Sequence, residues 1–271
     1  MTKVEHRCPS ALNIPPGVGG AGIDVWLAFY DDIAEDALAG ILPLLNADER
    51  SQHVRFLLED DRKRYLVTRG MARTVLSKYV DVSPEDWSFL KDCFGRPHIA
   101  DRHGADACSL SFNISHTRGL IAMAVTSRRA VGVDVEQIVA RQVSMGVANS
   151  NFAPEEIADL ACVPTDQQQD RFFEYWTFKE SYAKARGLGM SMPLEKFGFR
   201  LGDGRSVRLV ADPSLDHDVS RWRFWQCRPT RDHLLALCVD VGDDAVPQVI
   251  IRRWIPTGAH AVLDLEFLKT S

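Results

Sequence analysis

Two rhythms of apolar residues divide this chain. The run Ile23-Asp24-Val25-Trp26-Leu27-Ala28-Phe29-Tyr30 has the length of a buried strand, and residues 31–45 read as a helix broken at Pro43, which cannot donate a backbone hydrogen bond. From 46 to 79 the period is helical, with Val54, Leu58, Tyr65, Thr68, Ala72, Val75 and Tyr79 recurring at steps of three, four or seven. Short strands are then expected at 87–90, 110–114 and 120–125, with a turn at Gly95-Arg96-Pro97 and a tight polar loop from Ser115 to Gly119. Residues 131–136, Val-Gly-Val-Asp-Val-Glu, alternate strictly, so the valines share one face and Asp134 and Glu136 the other.

Residues 172–186 contain no Gly or Pro and stop at Gly187, the pattern of a helix closed by a left-handed residue. Trp176, Glu180 and Lys184 are four apart on it, which places a ring, a carboxylate and an ammonium along one edge. Residues 137–150 read as irregular or weakly helical, and Pro154-Glu155-Glu156 opens a short helix with proline early and acids in the first turn. Beyond Gly189, strands are expected at 197–201, 207–210, 222–227, 234–239 and 249–252, separated by Gly, Pro or Asp. Helices followed by antiparallel strands, twice over, define an α+β fold. Residues 1–22, rich in Pro and Gly, read as a flexible leader.

Composition narrows the function. The 271 residues carry 32 Lys and Arg against 37 Asp and Glu, a net charge of −5, which argues against nucleic-acid binding through a basic surface. Any anion must meet a local cluster of bases. Six cysteines, Cys8, Cys93, Cys108, Cys162, Cys227 and Cys238, show no zinc-type spacing and suit a reducing cytosol. No apolar run approaches the roughly 20 residues that span a bilayer, so a cytoplasmic protein without a membrane partner is expected.

On spacing alone, Glu180 and Lys184 form an ordinary exposed pair worth about 0.3–0.5 kcal/mol. The strand changes that reading. Two carboxylates side by side raise each other's proton affinity unless a cation intervenes, and hard oxygen ligands suit a divalent ion of the Mg²⁺ kind. Arg62, Arg69 and Arg73 flank the apolar stripe of the first long helix, either as solvated snorkelling side chains or as guanidinium forks for phosphate.

Gly132-Val133-Asp134-Val135-Glu136 and Trp176-Thr177-Phe178-Lys179-Glu180-Ser181-Tyr182-Ala183-Lys184 resemble the paired signatures G-(I/V)-D-x-E and W-x-x-K-E-(S/A)-x-x-K of 4′-phosphopantetheinyl transferases. Gly95-Arg96-Pro97 and Phe112-Asn113-Ile114-Ser115-His116 resemble the family's G-(K/R)-P and F-N-(I/L)-S-H segments, in the same order. The resemblance implies a pseudo-twofold pair of α+β halves, 23–130 and 131–271, with the active site in the groove between them. It implies transfer of the phosphopantetheine arm of coenzyme A to a serine of an apo acyl or peptidyl carrier protein, releasing adenosine 3′,5′-bisphosphate. Asp134, Glu136 and Glu180 would hold Mg²⁺, while Arg73, Arg96, Ser115 and His116 would contact coenzyme A. Lys184 would meet the leaving phosphate, and Lys179 would serve either the substrate or a neighbouring acid. Glu180 or a metal-bound water is the candidate base. Residues 137–150 would help dock the carrier, and the length matches the larger type typified by surfactin-synthetase activation, hence a monomer. A Mg²⁺-dependent hydrolase of coenzyme A or a related pyrophosphate remains the alternative, as does a non-enzymatic binding module.

Overall fold

The computed structural model describes residues 22–139, 143, 145–212, 215, 218–256 and 260–271. The expected leader, apart from Gly22, and residues 140–142 of the expected docking segment lie outside them. The first part of the chain runs β1 (Ile23–Phe29), α1 (Glu35–Ala39), α2 (Ala47–His53), α3 (Glu59–Leu76), β2 (Phe89–Lys91), β3 (Pro97–Ile99), α4 (Gly104–Cys108), β4 (Leu110–Thr117) and β5 (Leu120–Ser127). The second runs β6 (Val131–Gln137), α5 (Met145–Asn151), α6 (Pro154–Cys162), α7 (Gln168–Arg186), β7 (Phe197–Leu201), β8 (Val207–Ala211), β9 (Trp222–Thr230) and β10 (His233–Asp240). Three strands close the chain, β11 (Val249–Trp254), β12 (His260–Val262) and β13 (Phe267–Thr270).

Two sheets result, ordered β12-β11-β1-β5-β4 and β13-β9-β10-β6. The halves repeat one plan: strand, long helix, small hairpin, then a strand pair, with sheet order β1-β5-β4 answering β6-β10-β9. Alternation along the central strands builds the layers. Trp26, Ala28, Ile121, Met123 and Val125 face α3, which contributes Val67, Met71, Val75 and Leu76. Val25, Leu27, Ala122 and Ala124 face Val133, Val135, Leu235 and Leu237 across the seam between the sheets. Leu234, Ala236, Cys238 and Phe224 face α7, which contributes Phe178 and Tyr182. The order is helix, sheet, sheet, helix, and each fully buried large side chain in it contributes about 1.5–3 kcal/mol. β11 pairs in parallel with β1, so the chain returns to the first sheet after completing the second.

Several expectations change. Residues 46–79 form two helices, because Val54–Leu58 leave the helix and α3 restarts on three acids, Glu59, Asp60 and Asp61, at its positive end. Residues 31–45 hold only short turns and α1, not one helix. The expected loop at 115–119 is instead strand up to Thr117, paired through Ser115↔Ala122 and Thr117↔Leu120, with the reversal confined to Arg118 and Gly119. The strands β12 and β13 were not expected from the sequence. The helix ending at Gly187 is observed as expected, with Gly187 at φ 68°.

Candidate active site

β4 and β6 are the free edges of their two sheets, and they meet at the seam. β6 lacks a strand partner on that side, yet its amides are satisfied. Asn113 Oδ1 accepts from Val133 N at 2.9 Å, Ser115 Oγ from Val135 N at 3.4 Å, and Thr117 Oγ1 from Gln137 N at 3.1 Å. Side chains at alternate positions of β4 thus replace a neighbouring strand, and buried amides need such partners. This ladder sets Asp134 and Glu136 beside Ser115 and His116.

α7 lies across the same place. A Cβ on Gly132 would stand 2.0 Å from the Ser181 carbonyl oxygen and 2.5 Å from the Ala185 nitrogen, so only glycine lets the helix press onto β6. Glu180 and Lys184 then join Ile114, Ser115, His116, Asp134, Glu136 and Trp176 around a cavity of about 300 Å³. A second cavity of about 710 Å³ shares Trp176, Glu180 and Lys184 and runs on past Ala183 and Met192 to Leu194.

Inside the smaller cavity, Lys184 Nζ donates to Asp134 Oδ1 at 2.6 Å and to Ser115 Oγ at 2.9 Å, and Ser115 Oγ donates to Asp134 Oδ1 at 3.0 Å. Asp134 Oδ2 is buried without a hydrogen-bond partner. Burial raises the Glu180 carboxyl above its ordinary pKa, and the Asp134 charge raises it further against the pull of Lys184. Trp176 Nε1 donates to Glu136 Oε1 at 3.2 Å. Among the described residues that line the cavity, three carboxylates stand with one ammonium. Among the described residues, no three acidic, histidine or cysteine side chains converge as a ready-made metal cluster. The orphaned Asp134 oxygen beside the destabilised Glu180, both hard donors, nonetheless fits a hard divalent cation. His116 is held below the ordinary histidine pKa, chiefly by the crowding of protein around the ring and then by Arg64.

Two expected contacts prove structural. Arg73 is fully buried: its Nε and Nη2 donate to Glu49 Oε2 at 3.1 and 2.6 Å, and Nη1 to the carbonyls of Pro84 and Trp87. No fork is left for coenzyme A. Lys179 is equally buried, 2.7 Å from Glu156 and donating to the carbonyls of Leu194 and Phe197, so it locks α7 to α6 and β7. Arg96 borders the groove, but its guanidinium turns inward onto backbone carbonyls, not out to a nucleotide. Ser115 is likewise spent on Asp134, Lys184 and β6. The charge of Arg64 on His116 and the ladder role of Asn113 and Thr117 are not expected from the sequence. Arg64 follows the acids that start α3, and Asn113, Ser115 and Thr117 alternate, so both signals were present.

Residues 130–238 match the 4′-phosphopantetheinyl transferase superfamily, and residues 33–128 match an N-terminal domain described as 4′-phosphopantetheinyl transferase, N-terminal. The chain is 32% identical over 183 residues to the 4′-phosphopantetheinyl transferase HetI of Nostoc sp., covering 68% of this chain and 76% of the relative. It is 31% identical over 168 residues to the 4′-phosphopantetheinyl transferase Sfp of Bacillus subtilis, covering 62% and 71%. A phosphopantetheinyl transferase of Thraustochytrium sp. is 26% identical over 226 residues, covering 77% and 76%. With a groove built on the same strand and helix that carry the signatures, the chain belongs to the 4′-phosphopantetheinyl transferase superfamily.

Proposed function

We propose that this groove transfers the phosphopantetheine arm of coenzyme A to a serine hydroxyl of an apo carrier protein, with Asp134, Glu180 and Lys184 as its working groups and Mg²⁺ as its ion. The single observation that carries these roles is the Asp134–Lys184 pair, buried on one side, open to a cavity on the other and flanked by the destabilised Glu180. The family acts on coenzyme A and carrier proteins. A coenzyme A hydrolase finds no support among the relatives.

In the reaction the serine oxygen attacks the phosphorus that carries the pantetheine, its bond to the adenosine 3′,5′-bisphosphate breaks, and the serine proton must leave. Glu180, which lines the cavity beside Asp134 and Lys184, or a water on the ion would take it, and a carboxylate shared with a metal is the weaker base of the two. Lys184, released from Asp134 or shared with it, faces the charge that grows on the departing bisphosphate. Asp134, Glu136 and Glu180 would hold Mg²⁺, which supplies charge neutralisation at the pyrophosphate. His116, on which the charge of Arg64 acts, would meet the nucleotide end, the role that the resemblance gives to it together with Arg73 and Arg96. The exposed Val139, Met145 and Val147 lie on the segment that would dock the carrier. Two halves in one chain suit a monomer, and the unpaired thiols of the five cysteines among the described residues suit the cytosol. No helix among the described residues is long and apolar enough to cross a membrane.

The test is the intact mass of an apo acyl or peptidyl carrier incubated with the protein, coenzyme A and Mg²⁺. A gain of one phosphopantetheine that disappears with chelator is the expected result. Undiminished transfer in chelator would remove the metal from the scheme.

A further inference from the structure

Arg96 sits at the tip of the β2–β3 hairpin, in the first half of the chain, and its side chain reaches carbonyls of both halves. Nη1 donates to the Lys184 carbonyl at 2.8 Å, and Nη2 to the Val131 carbonyl at 3.0 Å and the Phe112 carbonyl at 3.3 Å. These acceptors belong to α7, β6 and β4, the three elements that carry Glu180 and Lys184, Asp134 and Glu136, and Ser115 and His116.

The hairpin tip is itself held. Asp92 Oδ1 accepts from the amides of Phe94 and Arg96, both at 2.9 Å, and Gly95 takes φ 83°. On the far side, a cation at the last turn of α7 meets carbonyls that the ending helix leaves short of partners, and it complements the negative end of the helix dipole. Gly187 follows closely: a Cβ there would lie 3.6 Å from Arg96 Nη1. A planar fork can bridge carbonyls on separate elements at fixed angles, which a single ammonium point cannot reproduce.

We propose that Arg96 is a positioning residue for the transfer reaction. Bonded to the backbone of Lys184 itself, it fixes the height of that residue against Asp134 across the seam, and so governs turnover and not the binding of coenzyme A. The inference rests on the reading of Lys184 and Asp134 as site residues.

The test is steady-state kinetics of the purified full chain carrying Arg96→Lys or Arg96→Ala, with an apo carrier, coenzyme A and Mg²⁺. The Lys variant should lose about tenfold in kcat, equivalent to about 1.4 kcal/mol, and the Ala variant more, while KM for coenzyme A stays within about twofold. A rise of about tenfold in KM with kcat kept would overturn the proposal, because the guanidinium would then be meeting coenzyme A directly. Unchanged kinetics would overturn it as well. If the Ala variant fails to fold, the Lys variant decides, since it keeps the charge and the apolar stem. Lys184→Met and Asp134→Ala run in parallel separate the two readings: full activity in them would sink the site assignment, whereas their inactivity beside a normal Arg96→Lys enzyme would sink only this inference.

Discussion

α7 carries two lysine–carboxylate pairs of nearly equal length and opposite character. Lys179 lies 2.7 Å from Glu156 and Lys184 lies 2.6 Å from Asp134. The first pair is closed: both side chains are at most 1% exposed, Lys179 also donates to two carbonyls, and Glu156 also accepts from the amides of Ala153 and Phe199. The second is open: Lys184 is 28% exposed to the cavity, and Asp134 keeps one oxygen without a partner beside a second acid. Distance does not separate a structural pair from a working one. The count of satisfied partners does, since a closed network rigidifies and a half-satisfied one retains binding capacity.

The comparison breaks most sharply under substitution of either lysine. Lys179→Met leaves Glu156 buried and uncompensated, at a cost of about 3–5 kcal/mol, so it should unfold much of the protein near 25 °C by circular dichroism. Lys184→Met should lower the melting midpoint by less than Lys179→Met, because this pair opens to the cavity, and lose about 10²–10³-fold in holo-carrier formation. Arg73→Met belongs with the closed pair. It strands Glu49 and should destabilise by a similar amount, while KM for coenzyme A in the folded fraction stays at the wild-type value.

A smaller effect reports on the open pair. In metal-free protein, Glu180→Gln removes a carboxylate that burial and Asp134 hold above its ordinary pKa. It should abolish transfer yet raise the melting midpoint, at about 2–4 °C per kcal/mol gained for a chain of this size. The sign follows from linkage: a carboxyl whose pKa is raised on folding contributes stability below its unfolded pKa near 4.5, and that contribution is lost as pH rises through the raised value. Wild-type melting in chelator should therefore fall across that window, and the Gln variant should show less of the fall. The smallest effect reads the two packed faces of the second sheet, Cys238 under α7 and Cys227 at the seam. Burial pushes the Cys227 thiol up to about 12 and Cys238 well above its ordinary value, while Cys93, Cys108 and Cys162 are exposed. Alkylation near pH 8, followed by peptide mass mapping, should label those three and spare Cys227 and Cys238.

The period of the apolar residues made β1, β5, β6, α7 and the strands β7 to β11 legible, because each carries its own alternation or helical stripe. The groups of the open pair could be read as well: Asp134 and Lys184 sit on two elements whose contact Gly132 permits, and glycine in an alternating strand marks such a close approach. The partners of Arg73 and Arg96 could not be read, and for Lys179 the sequence left open the choice between substrate and a neighbouring acid, which Glu156 fills. Their roles depend on which carbonyls and acids, 11 to 88 positions away in the chain, fold around them, and a local motif specifies a charge but not its partner. Asn113 and Thr117 escaped for a related reason, since they serve amides of a strand in the other half.

The most direct measurement is the intact mass of an apo carrier after incubation with coenzyme A, Mg²⁺ and the Asp134→Ala variant, alongside the variant's melting curve. An unmodified carrier together with a wild-type melt is the expected result, since Asp134 would hold both the lysine and the ion without supporting the core. Full conversion of the carrier by a folded Asp134→Ala protein would contradict the placement of the reaction in this groove.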